Sequence, residues 1–261
     1  MDVTNLFSLK GKVALVTGGA GLYGRQLVAG MLEAGARTFV AARHLEPLQE
    51  MEKTARAQGQ DLTALTYDQG DESSILRLRD TILEKAGRCD VLVNNAVLRP
   101  MKKAYADDLE AFDLSMKVNA TGLFAITRAF GDVMAEKGGG AIVNIGSIQG
   151  LIGPDPWIYE GTTMSGWYPD YFFHKGGMVN FTRFTASYYG LKNVRCNSVA
   201  PGGYQTENHP EPFLQNYARK TMLGRLAHDN DLKGVVVFLA SEAASYITGV
   251  TLPVDAGYTA K

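Results

Sequence analysis

Short runs of apolar and β-branched residues recur along this chain and alternate with stretches of helical periodicity. The runs cover residues 13–16, 38–41, 62–67, 91–93, 141–145, 194–199 and 251–254. Between them, apolar residues recur at helical spacing, as at Leu27 and Met31 and later at Val235, Val236 and Leu239. The runs lack polar alternation, which is typical of strands that are buried on both faces. The pattern predicts an α/β fold with a doubly wound parallel sheet and helices on both of its faces.

This pattern continues from end to end without a linker, an internal repeat or a low-complexity stretch. Because α/β proteins of about 250 residues often form one domain, we expect residues 1–261 to form a single domain. The exception is an irregular stretch at about 150–170, which is rich in glycine, proline and aromatic residues. A loop of this length inside a compact domain is usually functional, so it is predicted to be an extended substrate loop.

The composition and charge of the chain limit the kinds of molecule that it is expected to bind. Hydrophobic residues make up 46% of the chain, charged residues make up 20%, and the formal net charge is −1. These values leave no basic field for nucleic acid and no polybasic patch for a membrane surface. Residues 1–12 have neither the pattern of a secretory signal nor a long apolar run. We therefore expect a cytoplasmic protein that acts on a small molecule, without nucleic-acid or membrane partners.

The two cysteines, Cys89 and Cys196, are far apart in the chain, and each lies beside a predicted strand. This placement favours buried thiols over a disulfide or a metal site. The histidines His44, His209 and His228 have no metal-ligand spacing to one another or to cysteine. No metal is expected.

A glycine-rich segment follows the first strand and leads into a helical stretch. It reads Thr17-Gly18-Gly19-Ala20-Gly21-Leu22-Tyr23-Gly24. Glycines at this junction allow a tight turn, and they let backbone N–H groups and the helix N-terminus approach a pyrophosphate. The segment predicts a dinucleotide site in a Rossmann-like fold, with Gly18, Gly21, Leu22, Tyr23 and Gly24 as cofactor-binding residues.

Further landmarks follow in order, and together with the glycine segment they resemble the single-domain branch of the short-chain dehydrogenase/reductase family. They are Asp68, Asn94-Asn95-Ala96, Asn119, Ser147, Tyr171 with Lys175, Pro201-Gly202-Gly203 and Val254-Asp255-Ala256-Gly257. The resemblance covers essentially the whole chain and implies a nicotinamide-dependent oxidoreductase. The sequence departs from the family at Leu22, Val97 and Ala256, where glycine is usual. The spacing of the loop glycines is that of the longer, sugar-nucleotide-modifying branch, so this motif alone does not assign the branch.

The resemblance also implies roles for several cofactor-binding residues. Asp68 is implied to contact the adenine ring, although a turn-forming role for its side chain stays open. Asn95 and Ala96 are implied to line the adenosine site. The segment containing Pro201, Gly202 and Thr206 resembles the one that contacts the nicotinamide carboxamide.

Cofactor preference depends on the end of the second strand, which reads Val40-Ala41-Ala42-Arg43. An acidic residue there would accept hydrogen bonds from the ribose 2′-OH of NAD, whereas an arginine can neutralise the 2′-phosphate of NADP. Ala42 stands where the acid is expected, and Arg43 follows it. NADP is therefore predicted as the preferred cofactor, with NAD as the alternative.

Tyr171 and Lys175 are four positions apart in a helical stretch, which places them on one helix face. A free tyrosine, with a pKa of about 10, is a weak base at neutral pH, and a nearby ammonium favours its phenolate. Tyr171 is thus the predicted catalytic acid/base, Lys175 is expected to lower its pKa, and Ser147 is expected to donate to the substrate oxygen. The resemblance implies that Asn119 holds a water that links Lys175 to solvent, and that Tyr171 and Lys175 also contact the cofactor.

His174 precedes the catalytic lysine directly. Its adjacency to Lys175 in the sequence predicts a helix face different from that of Tyr171. A structural role, or a place at the rim of the substrate site, is therefore favoured over proton transfer.

The separation of Ser147 from Tyr171, 24 positions, is longer than the family usually has. The extra residues include aromatic side chains with polar tips, which suit the mixed faces of a sugar, and Glu160, which can accept hydrogen bonds from hydroxyls. Anchoring of the loop by these aromatics is an equal alternative. Tyr204 and His209 follow the nicotinamide segment and are further candidate substrate residues.

These motifs predict hydride transfer between nicotinamide and a hydroxyl or carbonyl carbon of a small polar substrate, with sugars and their derivatives as one class. Two alternatives remain open. The first is an epimerase or dehydratase that returns its nicotinamide unchanged, and the second is a non-catalytic dinucleotide-binding sensor. The resemblance also implies a subunit interface near the C-terminal end, and hence a homotetramer or a homodimer.

Overall fold

The computed structural model describes residues 2–260 and contains one parallel sheet of seven strands in the order β3-β2-β1-β4-β5-β6-β7. The strands are β1 Val13–Thr17, β2 Arg37–Ala42, β3 Leu62–Thr66, β4 Val91–Asn94, β5 Gly140–Ile145, β6 Val194–Pro201 and β7 Thr251–Val254. Each strand coincides with a predicted apolar run to within two residues at either end. The Rossmann-like architecture predicted from the sequence is confirmed.

Helices separate the strands along the chain. They are α1 Val3–Leu6, α2 Leu22–Glu33, α3 Glu46–Ala57, α4 Glu72–Ala86, α5 Leu109–Met116, α6 Gly122–Glu136, α7 Pro169–Tyr189, α8 Glu211–Lys220 and α9 Lys233–Ala240. A π-helical segment, Lys117–Thr121, joins α5 to α6. Over residues 2–260, none of the helices has the length and apolar character needed to span a bilayer.

The sheet is covered on both faces, as the continuous apolar strands predict. On one face, Ala14 and Val16 of β1 pack in a core formed with α2, α3 and α9. On the other face, Val13 and Leu15 pack with α4, α6 and α7. Because successive side chains of a strand point to opposite faces, a strand buried on both sides must be apolar at every position. Cys196 of β6 lies in the second core as a free, buried thiol, and so does Cys89 just before β4.

Local sequence signals set the ends of several helices. The carboxylate of Asp71 accepts a hydrogen bond from the Ser73 N–H at 2.9 Å and caps the N-terminus of α4. The same helix ends at Gly87, whose φ of 71° favours glycine. These two signals set the ends of α4.

The strand order places a crevice at the centre of the sheet. β1 pairs with β2 on one side and with β4 on the other, so the chain winds outward in both directions from β1. Ligands of open parallel sheets bind outside the carboxyl ends of the strands, at the point where the winding reverses. The glycine segment after β1 and the asparagine motif at the end of β4 both lie at this point.

The irregular stretch after β5 contains only two short 3₁₀ turns, Ile148–Gly150 and Pro156–Tyr159, before α7 begins. It packs against α8 and the C-terminal end in a third apolar cluster that is separate from the two sheet cores. Its buried members are Ile148, Ile158, Phe213, Tyr217, Leu226 and Tyr258. The stretch therefore covers the carboxyl edge of the sheet and has its own core.

Candidate active site

The carboxyl ends of the central strands open into one cavity of about 640 Å³. Its walls combine the glycine segment, the end of β4, Ser147 after β5, Tyr171 and Lys175 on α7, and the segment after β6. These residues are far apart in the sequence. The parallel topology brings them together, because all of these strands end at the same edge.

The glycine segment has the shape of an anion cradle. Gly18 has a φ of 66°, and a Cβ atom at this position would lie 2.9 Å from the Ala96 Cα. A Cβ atom at Gly24 would overlap the Gly18 carbonyl oxygen. Gly21 caps α2 and offers no side-chain oxygen to the first N–H groups of the helix. These free donors and the positive end of the helix dipole fit a pyrophosphate group.

Hydrogen bonds from the asparagine motif clamp this cradle to β4. The Asn95 side chain donates to the carbonyl oxygens of Thr17 and Gly18 at 3.0 and 2.9 Å. The Thr17 hydroxyl accepts from the N–H groups of Asn95 and Ala96 at 3.0 and 3.1 Å. On the other side, the Tyr23 hydroxyl donates to the Gly202 carbonyl at 2.8 Å. These bonds together fix the glycine segment relative to the ends of β4 and β6.

Arg43 and Asp68 lie beside the main cavity, in a hollow at the ends of β2 and β3 that Ser74 and Arg77 also line. Ala42 lines the main cavity itself. The Arg43 side chain is exposed. The Asp68 carboxylate accepts a hydrogen bond from the Gly70 N–H at 2.8 Å, so it does form the local turn.

The three predicted catalytic side chains that line the cavity come from two elements. Lys175 is buried, and its Nζ donates to the Ile145 carbonyl at 2.6 Å and lies 5.7 Å from the centre of the Tyr171 ring. Ser147 follows β5, and its Oγ accepts a hydrogen bond from the Gln149 N–H at 3.1 Å. Tyr171 stands one helical turn before Lys175 on α7. The arrangement directs a hydroxyl, a phenol and an ammonium toward one space.

Electrostatics favour the ionised form of the tyrosine. Burial alone would raise the pKa of Tyr171, but the Lys175 ammonium, the Arg99 guanidinium and the Ser147 hydroxyl outweigh it and lower that pKa. Burial also lowers the pKa of Lys175; the nearby Tyr171 opposes this, and Arg99 adds to it. A lowered pKa lets the phenolate of Tyr171, which accepts the proton, form nearer to neutral pH than it does in a free tyrosine.

Arg99 is a cavity residue that the sequence argument misses. It follows the asparagine motif after β4, and its guanidinium carbon lies 4.5 Å from the centre of the Tyr171 ring. The available signal is positional, since residues just past the carboxyl ends of parallel strands line the ligand crevice. No motif marks Arg99, so only the fold identifies it.

The prediction that His174 faces away from Tyr171 is wrong. The two rings pack edge to face with their centres 5.2 Å apart, because residues three positions apart on a helix are neighbours. The His174 ring is buried and neither of its nitrogens has a hydrogen-bond partner. Burial, with smaller contributions from Lys175 and Arg99, lowers the pKa of His174 to about 3. The ring is therefore neutral at physiological pH.

Asn119 lies in the π-helical segment between α5 and α6, with its side chain buried. Its Oδ1 accepts from the Leu98 N–H at 2.8 Å, and its Nδ2 donates to the Leu98 carbonyl at 2.7 Å and to the Ser115 hydroxyl at 3.0 Å. Both amide hydrogens are used in these bonds. The side chain thus fixes the backbone directly before Arg99.

The predicted substrate residues are divided between the cavity and the surface. Tyr204 and His209 line the cavity, but the Tyr204 hydroxyl donates to Asp229 at 2.5 Å. The His209 Nδ1 accepts from the Thr206 N–H at 3.3 Å, and Thr206 itself is not part of the cavity wall. Glu160 is exposed outside the cavity, where its main-chain carbonyl accepts from the Asn216 side chain at 3.0 Å.

The irregular stretch contributes other side chains to the same wall. Ile158, Tyr159, Met164 and Tyr168 line the cavity together with Phe213 of α8. The rings of Tyr159 and Phe213 stack with their centres 5.7 Å apart. Apolar surfaces with polar tips therefore face the space beside Tyr171.

Comparisons with known proteins agree with this geometry. A family model described as Enoyl-(Acyl carrier protein) reductase matches residues 21–259. The chain is 31% identical to galactitol 2-dehydrogenase (L-tagatose-forming) of Cereibacter sphaeroides over 99% of each protein. It is 32% identical to L-rhamnose 1-dehydrogenase (NAD(P)(+)) of a Sphingomonas species, over 95% of this chain and 96% of that one. It is also similar to the crystal structure of a gluconate 5-dehydrogenase from Burkholderia cenocepacia J2315 in complex with NADP and tartrate, with a TM-score of 0.89, 26% identity and coverage of 100% of both chains.

The family model and both curated relatives extend over nearly the whole chain, from the glycine segment to the C-terminal strand. The matched region contains the asparagine motif and the Tyr171 and Lys175 pair. The chain therefore belongs to the short-chain dehydrogenase/reductase family and is an oxidoreductase that acts on CH–OH groups.

Proposed function

We propose that this enzyme oxidises a secondary hydroxyl of a polyhydroxylated carbohydrate, or reduces the corresponding carbonyl, with NADP(H) preferred over NAD(H). The observation that carries the proposal is the cavity that joins an anion cradle at Gly18 to a phenol, Tyr171, whose pKa is lowered by Lys175. The relatives point to the substrate class, since their names specify a polyol, a sugar and a sugar acid. The polar tips of Tyr159 and Tyr168 in the cavity wall suit such a molecule.

Each catalytic side chain has a distinct proposed role. Tyr171 takes the proton from the substrate hydroxyl during oxidation and returns it during reduction. Lys175 stabilises the phenolate, and the Ser147 hydroxyl donates to the substrate oxygen as its charge changes. Asn119 holds the Leu98 backbone and the helical segment through which a water can reach Lys175. When bound, the nicotinamide supplies the hydride acceptor or donor.

The cofactor residues are proposed from their places around the crevice. The backbone of the glycine segment, including Leu22 and Tyr23, would hold the pyrophosphate. Asp68, Asn95 and Ala96 would border the adenosine, while Pro201 and Gly202, with Thr206 behind them, would border the nicotinamide. Arg43 would neutralise a 2′-phosphate from the adjoining hollow.

We further propose that residues 150–170 act as the substrate loop of a single domain, and that the enzyme works in the cytoplasm as a homotetramer or a homodimer. Exposed aromatic side chains on α6 and α7 support association with a second copy. They are Phe124, Phe173, Phe184 and Tyr188. Free, buried thiols at Cys89 and Cys196 agree with a reducing compartment.

The function is tested by substituting the phenol. Tyr171→Phe removes the proton acceptor and leaves the ring packing in place, so turnover with polyols, aldoses and sugar acids should fall by at least a hundredfold. Cofactor binding, measured by fluorescence of the reduced nicotinamide, should stay within about twofold, because the glycine segment is untouched. Tyr105→Phe, at a fully exposed tyrosine outside the cavity, is the matched control and should leave turnover unchanged.

Two results would contradict the proposal. Equal turnover in wild type and Tyr171→Phe would remove Tyr171 from the acid/base role. Product formation without net change in reduced nicotinamide absorbance would instead indicate an epimerase or a dehydratase.

A further inference from the structure

Arg99 is a cation in the substrate region that has no anionic partner in the protein. Its side chain is exposed and lines the cavity beside Tyr171. No ion pair among residues 2–260 includes Arg99. Arg225, by contrast, is paired with Asp231 at 2.5 Å. A guanidinium held in a binding cavity without a carboxylate is available to a ligand.

The charge of the cavity wall agrees with an anionic ligand. Among the described residues that line the cavity, the cations are Arg99 and Lys175, and the one carboxylate belongs to Asp155. That carboxylate is already paired with Lys220 at 3.0 Å and accepts from the Tyr258 hydroxyl at 3.3 Å. Because Lys175 is buried and interacts with Tyr171 and the Ile145 carbonyl, Arg99 is the cation of the wall that a polyol or an aldose would leave without a counter-charge.

The position of Arg99 is also fixed by its surroundings. Asn119 bonds both the N–H and the carbonyl of Leu98, which restrains the backbone directly before it. The guanidinium then lies against the face of the Tyr171 ring. A carboxylate bound to this guanidinium in a bidentate manner would hold the rest of the ligand next to the catalytic phenol.

We propose that Arg99 binds the carboxylate of a sugar acid and makes this enzyme selective for polyhydroxy carboxylates over neutral polyols and sugars. The inference rests on the proposed carbohydrate dehydrogenase function and narrows its substrate class. The bound carboxylate orients the chain of hydroxyls, while Ser147 and Tyr171 act on the reacting one. Arg99 is thus a specificity-determining residue in contact with the substrate.

The test compares acids with alditols of the same stereochemistry, namely D-gluconate with D-glucitol and D-galactonate with galactitol. For wild type we expect a higher kcat/KM with the acids. Arg99→Met should lower kcat/KM for the acids by about ten- to a hundredfold, the range for hydrogen bonds to a charged group, mainly through KM. In the same variant, kcat/KM for the alditols should change by less than about twofold. Arg99→Lys should retain part of the selectivity, because it keeps the charge and loses the bidentate geometry.

A neighbouring exposed cation gives the matched control. Lys102 is exposed and lies outside the cavity, so Lys102→Met should leave kcat/KM for both substrate classes unchanged. If Arg99→Met lowers the activity on acids and alditols equally and moves the pH profile to higher pH, Arg99 acts only on the pKa of Tyr171, and the inference is overturned.

Two further outcomes separate this inference from the function on which it rests. A wild-type enzyme that oxidises alditols better than acids would overturn the assignment of substrate class and leave the proposed function intact. A wild-type enzyme that binds the cofactor and turns over none of these carbohydrates would contradict the proposed function itself.

Discussion

Ala42 and Arg43, at the carboxyl end of β2, are the two residues from which we predict cofactor preference. Ala42 lines the main cavity without offering an acceptor to a ribose hydroxyl, and Arg43 stands exposed in the hollow beside it. A guanidinium here can form charge-assisted hydrogen bonds to a 2′-phosphate. The absence of an acid at Ala42 removes a repulsion that would otherwise exclude the phosphate.

We expect wild type to prefer NADP by roughly ten- to a hundredfold in kcat/KM, the equivalent of about 1.5–3 kcal/mol. Arg43→Ala should remove most of this preference. Ala42→Asp should move it toward NAD by adding both an acceptor for the hydroxyl and a repulsion for the phosphate. Arg79→Ala, on α4 and outside the hollow, is the control and should have no effect. Wild-type enzyme that uses NAD as well as NADP would make Arg43 an ordinary surface residue.

The irregular stretch and α8 form one covering element over the cavity. They are held together by a shared apolar cluster and by the stacked rings of Tyr159 and Phe213. The Asn216 side chain also donates a hydrogen bond to the Glu160 carbonyl. The apolar cluster of this element is separate from the two cores that cover the sheet. The element is therefore expected to open as a local unit, with a free energy below that of global unfolding.

Leu214→Ala tests this coupling, because Leu214 packs in the cluster without lining the cavity. Removing a packed leucine side chain costs about 2 kcal/mol, enough to raise the open fraction of the element more than tenfold. Limited proteolysis within residues 150–168 should become correspondingly faster, and KM for the carbohydrate should rise while cofactor affinity stays constant. Leu191→Ala, at a fully exposed leucine, should change neither quantity. Unchanged cleavage in Leu214→Ala would show that the stretch and α8 open independently.

The stability of the whole molecule should depend on pH through the buried imidazole of His174. Its pKa is lowered from 6.5 to about 3, so the unfolded chain binds a proton below pH 6.5 that the native protein does not bind. Unfolding is therefore favoured progressively as the pH falls from 6.5 toward 3, by up to about 1.4 kcal/mol per pH unit. Above pH 6.5, His174 makes no contribution to the pH dependence of stability.

Urea unfolding of His174→Phe between pH 7.5 and 5 should show a smaller loss of unfolding free energy with falling pH than wild type, by about 1 kcal/mol or more at pH 5.5. The substitution also removes two buried ring nitrogens that have no partner, so stability at pH 7.5 should not fall sharply. His44→Phe, at an exposed histidine, should keep the wild-type pH dependence. Parallel curves for wild type and His174→Phe would exclude a neutral, buried His174.

Much of this enzyme was determined by local sequence. Strand positions follow from apolar runs, because a strand buried on both faces tolerates few polar side chains, and all seven runs became strands. The glycine segment follows from steric limits, since Gly18 and Gly24 admit no side chain. The family resemblance, with the chemistry that a proton acceptor needs, singles out Ser147, Tyr171 and Lys175 as candidates, and all three line the cavity.

Tertiary structure alone decided which other side chains meet those residues. Arg99 belongs to no motif, and only the fold, which brings the segment after β4 next to α7, puts its guanidinium over Tyr171. Glu160 and Tyr159 are adjacent in the sequence, yet the packing of Tyr159 on α8 leaves Glu160 outside the cavity. Periodicity and spacing describe interactions between near neighbours in the chain. Contacts between distant segments depend on how complete helices and strands pack, which is why the residues proposed to select the substrate became apparent only in the folded molecule.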